Sequence, residues 1–274
     1  MVINVLALFK TLTNCIRSLP NFLLIGGHDI INELSKYEIP SNFDNDIQEA
    51  LIFYAKNFER LNSLQSVEEM GFLLELIKKT DSVKGDILEL GSYDCGTTIM
   101  LAHFLKSINS KKHVFGCDTF SGLPYEDKFS TKSSSVLTFF MGLSVTSSDT
   151  IIGRYKASFD SVIKKITEFG LNDTITLIKG KFEDTLESEL GDKRFSFVFN
   201  DCDLYDATKF CLKFIWPRLE KKGIIAFDEY GKRQEKYAWG EIKAVEEFCL
   251  ENNINLINNR KNNKKNPAII INEL

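Results

Sequence analysis

From Asp86 onward, short apolar runs alternate with longer segments of helical periodicity, and this rhythm narrows the choice of fold more than any other feature of the chain. Apolar runs bounded by polar turns read as strands buried on both faces, and helical segments between them supply the crossovers that parallel neighbours need. The predicted strands are 86–90, 113–117, 175–179, 195–200 and 223–227, with helices over 97–106, 158–169, 183–190 and 207–219. A helix over 239–252 follows, then two apolar runs, 254–257 and 268–271, separated by a polar stretch and read as a closing antiparallel hairpin. The expected fold class is α/β: a doubly wound, mostly parallel, seven-stranded sheet.

A chain of 274 residues fits one large α/β domain with extensions. Residues 1–80 read as a helical extension or lid, punctuated by Pro20, Gly26, Gly27 and Pro40, and residues 81–274 as the sheet domain. Within the latter, 125–157 is an insertion in which a serine-rich STKSSS piece precedes the apolar VLTFFMGL, with Val136, Leu137, Phe139, Phe140 and Met141. Long connections in compact domains are commonly functional, so this one is expected to form a mobile cover over the acceptor side of the crevice. The apolar run Met1 to Leu24 is broken by Asn4, Lys10, Thr11 and Arg17, while Val2, Val5, Leu6, Phe9, Leu12 and Ile16 recur near helical spacing. It reads as an amphipathic helix covering a pocket or a neighbouring subunit of a homo-oligomer, not as a signal peptide or stable membrane insertion.

A net charge of −4, from 34 basic and 38 acidic residues spread along the chain, leaves no footprint for nucleic acid. The cysteines at 15, 95, 117, 202, 211 and 249 show no close pairing that would suggest zinc or redox chemistry, and are read as reduced residues of a cytoplasmic protein. His28, His103 and His113 are read as structural, and no G-x-S-x-G arrangement supports a hydrolase. Phe210, Phe214 and Trp216 recur at helical spacing and are read as core, whereas Tyr230 and Trp239 are expected to shape an acceptor pocket.

The segment GDILELGSYDCG, residues 85–96, places Glu89 at a strand end and Gly91 and Gly96 in the following turn, ahead of a helix. Such a turn lets backbone approach a ligand and directs amides toward it. The next strand ends in Asp118, roughly 20 residues on, where an acid can accept from both hydroxyls of a ribose. Tyr93 stands where a pyrophosphate-binding fingerprint needs its second glycine, so a cofactor without phosphate fits better. After the third strand, Phe182 is expected to pack near a base, with Glu183 or Asp184 meeting its amino group; the alternative is that Asp184 caps the next helix.

The fourth and fifth strands end in NDCD, residues 200–203, and FDEY, residues 227–230. Asp201, Asp228 and Glu229 then supply hard oxygen ligands for Mg²⁺, because carboxylates converging on one crevice require a cation to offset their repulsion.

The pieces ELGSYDCG, CDTFSGLP, GKFEDTL, NDCDLYDAT and FDEYG resemble, in order and spacing over roughly residues 62–252, the macrocin O-methyltransferase family. The resemblance implies a class I, Rossmann-like methyltransferase fold, S-adenosylmethionine as donor, and a magnesium ion that holds a sugar hydroxyl beside the sulfonium methyl. Donor contacts are expected from Glu89, Gly91, Ser92, Tyr93 and Gly96 on the first turn, and from Asp118, Thr119 and Phe120 after the second strand. Gly180, Phe182 and Glu183 contribute after the third, and Asp201 after the fourth. Asp201, Asp228 and Glu229 resemble the family's metal ligands, with Asp201 also the candidate base. Cys202 departs from the glycine common in the family's DGDLY motif. Metal-dependent catechol and caffeoyl-CoA methyltransferases carry a lysine just after the first carboxylate, and its absence here favours an aliphatic hydroxyl over a phenol. The expected acceptor is therefore a sugar or glycosylated small molecule, in a cytoplasmic enzyme. The rival readings are a nicotinamide-dependent oxidoreductase, against which Tyr93 and the carboxylate trio argue, and a cofactor-binding protein without catalysis.

Overall fold

The structure, a computed structural model, describes residues 40, 42–127, 152–228, 239–258 and 267–273. The amphipathic helix expected near the N-terminus, His28, most of the insertion, Glu229 and Tyr230 lie outside the described residues, as does the side chain of Trp239.

Six strands form the sheet: β1 (Asp86–Leu90), β2 (Val114–Asp118), β3 (Ile175–Lys179), β4 (Phe195–Asn200), β5 (Leu219–Phe227) and β6 (Ala268–Ile271). Their order is β3-β2-β1-β4-β5-β6, with β6 antiparallel to β5 and every other pair parallel. The chain winds outward from β1 in one direction, then returns to lay β4 on the other side. The switch point between β1 and β4 opens the crevice in which such sheets bind ligands.

Side chains alternate between two apolar clusters. Ile87, Phe197, Phe199, Ile224 and Ala226 face one, and Leu88, Leu90, Val198, Ile225 and Phe227 face the other. Burial on both faces is why these runs are mainly apolar instead of alternating regularly with polar residues. The first cluster is covered by α1 (Asn45–Lys56), α2 (Phe58–Leu61), α3 (Val67–Thr80), α4 (Gly96–Ser107) and α5 (Phe159–Glu168). The second is covered by α6 (Phe182–Leu190), α7 (Tyr205–Ile215) and α8 (Trp239–Asn252). Residues 42–80 thus bury Tyr54, Leu61, Met70 and Leu73 in the same cluster as the sheet. α3 begins at a capping box in which Ser66 and Glu69 satisfy each other's amides.

Two expectations are corrected. Among the described residues the sheet has six strands, not seven. The run 254–257 makes a single bridge, Ile257 to Ile269, because Ile254 and Leu256 instead pack against the second cluster. The helix expected to reach 219 ends at Ile215 and tightens into a 3₁₀ turn, Trp216–Arg218, where Pro217 lacks the amide that α-helix would require.

Phe214 is buried, and Trp216 meets Phe248 edge-on at 5.7 Å, as expected of core residues. His103 stacks on Phe53 at 3.7 Å, and the ring nitrogen of His113 bonds the Thr176 hydroxyl at 2.8 Å. Burial lowers the pKa of both histidines, consistent with structural roles. Cys95, Cys117, Cys202, Cys211 and Cys249 are free and buried. Among the described residues no helix is long and apolar enough to cross a membrane.

Candidate active site

The carboxyl ends of β1, β2 and β4 are stitched together by backbone. The Gly91 amide donates to the Cys117 carbonyl at 2.9 Å, and the Asp201 amide to the Leu90 carbonyl at 2.9 Å. Gly91 has φ +91°, and a Cβ there would stand 1.9 Å from the Asp201 carbonyl oxygen. Its missing side chain therefore serves the junction of β1 and β4 directly. Beyond it, Tyr93 (φ +47°) and Cys95 (φ +58°) adopt the left-handed conformation that non-glycine residues avoid. Cys95 occupies the N-cap of α4 without capping it through its side chain, so no side-chain cap takes up the first amides of the helix.

Asp118 governs this turn. Its carboxylate accepts from the Tyr93 amide at 2.8 Å and from the Phe120 amide at 2.6 Å, one on each oxygen. The Thr119 hydroxyl also lies 3.5 Å from the oxygen that Phe120 bonds, whereas the oxygen facing Tyr93 carries one described partner. Burial raises the Asp118 pKa against the opposing pull of these amides. Glu89, 1% exposed, accepts from the Thr98 hydroxyl, and its carboxyl is pushed up to about 8, chiefly by burial and further by the charges of Asp118 and Asp228. Ser92 is buried beside it in the turn.

The remaining residues expected at the donor have local duties as well. Thr119 donates to the Gly122 carbonyl at 2.7 Å, and Phe120, buried at φ +54°, meets Phe159 edge-on at 5.0 Å. Gly180 donates to the Asp118 carbonyl at 3.0 Å, fixing the end of β3 beside that of β2. Phe182 is half-buried against the second cluster, whereas Glu183 is exposed and accepts from the Tyr125 hydroxyl at 3.1 Å. The N-cap of α6 is Lys181, so Asp184 lies within the first turn and does not cap the helix. The bare face of Gly96 meets the segment before α3: a Cβ there would stand 2.4 Å from the Leu61 carbonyl and 2.7 Å from the Ser63 nitrogen.

The two stems of the insertion meet beside this turn. Leu123 donates to the Arg154 carbonyl at 2.9 Å and accepts from the Gly153 amide at 2.9 Å. Tyr155 then reaches Tyr93, ring to ring, at 5.9 Å.

On the other side of the switch point, Asn200 pairs with Phe227, and the Asp228 amide donates to the Asn200 carbonyl at 3.1 Å. Asp201 and Asp228 are thus the next residues along neighbouring parallel strands, both half-buried. Cys202 is accommodated because the left-handed conformation falls one residue later, on Asp203 at φ +59°. The Cys202 thiol donates to the Asn200 side-chain oxygen at 3.3 Å.

Asp203 is the residue that sequence reasoning missed, although it stands in the same motif. Its carboxyl is pushed up to about 7 by burial and by the negative charges of Asp228, Asp127 and Asp118. Asp127, also missed, lies against the start of α8, where a Cβ on Gly240 would stand 1.9 Å from its carboxylate. Among the described residues, no three His, Cys, Asp or Glu side chains gather as a metal cage. Of the expected ligands, Asp201 and Asp228 are neighbours and Glu229 lies outside the described residues. Two hard carboxylates beside an accumulation of further negative charge form a donor set suited to Mg²⁺.

This fold has known counterparts. A protein from Streptomyces olivaceus, 8-demethyl-8-(2,3-dimethoxy-alpha-L-rhamnosyl)-tetracenomycin-C 4'-O-methyltransferase, is 25% identical over 171 residues. That match spans 61% of this chain and 60% of the relative. The O-methyltransferase NovP superposes with a TM-score of 0.60 at 17% identity, covering 77% of this chain and 82% of its own. The calicheamicin methyltransferase CalS11 gives a TM-score of 0.60 at 17% identity over 96% of this chain and 90% of its own. These likenesses establish the class I methyltransferase fold. The macrocin-O-methyltransferase (TylF) family pattern matches residues 59–260, from α2 through α8 and including strands β1 to β5, and the chain belongs to that family of O-methyltransferases.

Proposed function

We propose that this protein transfers the methyl group of S-adenosylmethionine to a hydroxyl of a sugar or glycosylated small molecule, with Mg²⁺ bound at Asp201, Asp228 and Glu229. The observation that carries the reading is the switch point itself: Asp118 and the open N-terminus of α4 lie on one side of Gly91, and Asp201 and Asp228 on the other. The first half suits a ribose and an amino-acid carboxylate, and the second suits a cation with hydroxyl oxygens.

Asp118 holds the ribose through its remaining lone pairs, while Gly91 and Ser92 bring backbone close to the sulfonium end. Glu89 braces the turn from beneath through Thr98. When bound, the metal supplies charge that lowers the pKa of an acceptor hydroxyl and holds it in line with the methyl group. Asp201 is the first candidate to accept the departing proton. Asp203 is the second, since it stands two residues on in the same motif and its carboxyl is pushed up to about 7 by burial and by the charges of Asp228, Asp127 and Asp118. The sugar acceptor is favoured by family membership and by the tetracenomycin relative, whose name describes methylation of a rhamnosyl 4′ position. A cytoplasmic place is favoured by the five buried free thiols.

The test is to incubate the protein with donor, Mg²⁺ and a panel of deoxyhexose glycosides and nucleotide-linked sugars. Stoichiometric S-adenosylhomocysteine and a product heavier by one methylene are expected. Donor binding without transfer to any hydroxyl, alongside transfer to a nitrogen or carbon acceptor, would overturn the proposal.

A further inference from the structure

The turn that follows β1 holds a conformation it does not favour by itself. Tyr93 and Cys95 are left-handed at φ +47° and +58°, flanking Asp94, and such residues persist only where surrounding structure over-determines them. The constraint comes from outside the turn. Lys165, on α5, reaches across with its ammonium 2.5 Å from the Asp94 carboxylate and 3.0 Å from the Asp94 carbonyl. The same ammonium donates to the Leu61 carbonyl at 3.3 Å.

The segment just before α3 completes the clamp. Asn62, itself left-handed at φ +53°, donates from its side-chain amide to the Asp94 carboxylate at 3.0 Å. The hydroxyls of Ser63 and Thr97 lie 3.0 Å apart in the buried interior. The bare face of Gly96 lets this segment press against the start of α4. Lys165 and Asp94 are well shielded, with side chains 15% and 18% exposed. Neighbouring Lys164 is 79% exposed and only 3.9 Å from Glu168.

We infer that Lys165 is a positioning residue for the methyl donor: with Asn62 it holds Asp94, and through Asp94 the backbone turn from Tyr93 to Gly96, in the shape that receives the donor's amino-acid end. This rests on the reading of the turn as the donor site. A pre-shaped turn spares the donor the cost of ordering it, so the clamp acts on binding and leaves the transfer step alone. The Tyr93 amide, already committed to Asp118, links the clamp to the ribose acceptor.

The experiment compares Lys165→Met, Lys165→Arg, Asn62→Gly and Lys164→Met in the full chain. Affinity for S-adenosylhomocysteine is read by calorimetry, donor KM and kcat by initial rates, and folding by thermal melting. Lys165→Met is expected to weaken S-adenosylhomocysteine binding and raise donor KM about tenfold, the scale of a lost charged hydrogen-bond network, with kcat at saturating donor changed by less than about twofold. Arginine should restore most of the loss, and Lys164→Met should bind as wild type does. Asn62→Gly keeps the left-handed backbone while removing one arm, and should move KM the same way by a smaller factor. It carries the test if Lys165→Met does not fold. Unchanged donor affinity in Lys165→Met, with only a lower melting temperature, would overturn the inference and leave the donor reading standing. Wild-type protein that binds no S-adenosylhomocysteine would overturn the donor reading itself.

Discussion

The carbonyl oxygen of Asp201 occupies the space where a side chain on residue 91 would begin, so that β1 and β4 close on each other only because Gly91 is bare. Gly91→Ala would combine a left-handed backbone with a clash against main chain that cannot yield without separating the two strands. The expected cost is about 3 kcal/mol or more. Gly170 is the comparison: its φ is +66°, but nothing lies within 4 Å of an added Cβ. Gly170→Ala should cost only about 1 kcal/mol, from the backbone alone. Urea unfolding of both variants separates the two contributions, and equal losses would show that the Gly91 contact relaxes freely.

Asp118→Ala removes the partner of two backbone amides as well as the proposed ribose acceptor. Affinity for S-adenosylhomocysteine should fall by about 1 to 3 kcal/mol or more, as buried donors lose their acceptor. Titration calorimetry reads this directly. Equal affinity in variant and wild type would remove Asp118 from the donor site.

Substituting Asp201 or Asp228 by asparagine should lower kcat by roughly 100-fold or more, and Asp228→Asn should leave S-adenosylhomocysteine affinity within about twofold, because Asp228 is proposed to act on the acceptor side alone. Chelation should abolish turnover and Mg²⁺ restore it. Full turnover by a verified metal-free preparation would exclude the metal from the mechanism.

Glu89 makes stability depend on pH in a definite sense. Its folded pKa, about 8, lies above the ordinary 4.5, so between these values the native protein holds a proton that the unfolded chain has released. Stability contributed at this site is therefore fully present below the unfolded pKa and declines as pH rises toward 8, by at most about 1.4 kcal/mol per unit. Glu89→Gln removes the titration and should flatten that decline. Urea unfolding at several pH values between about 5 and about 8 tests it; parallel slopes for variant and wild type would mean that Glu89 is ionised in the native state.

The strands β1, β3 and β4 are legible residue for residue because each is a short, mainly apolar run between polar turns, the central β1 and β4 being buried on both faces. The run 254–257 looks the same in sequence, and only its packing shows that it contributes one bridge and no strand. Glycines were recognised but their reasons were not. Gly91 and Gly96 both read as room for a ligand, whereas their neighbours are Asp201 in one case and Leu61 with Ser63 in the other, partners distant in the chain. Likewise, Asp201 and Asp203 are alternatives within one motif. The sign of φ at Asp203, and the burial that with the charges of Asp228, Asp127 and Asp118 raises its pKa, are properties of the folded chain that residue identity does not reveal.

The paired hydrogen bonds that join Leu123 to Gly153 and Arg154 make residues 124–152 a detour with a common entrance and exit. At Gly122 the approach is so close that a Cβ would stand 2.5 Å from the Gly153 carbonyl carbon. Changes of length beyond Asp127 can accumulate without shifting β2 or α5, since the chain enters and leaves at the same place, whereas Tyr125 and Asp127 stay tied to Glu183 and to the start of α8. The stretch joined at Leu123 and Gly153 can therefore differ in length from one relative to the next while the sheet is inherited intact.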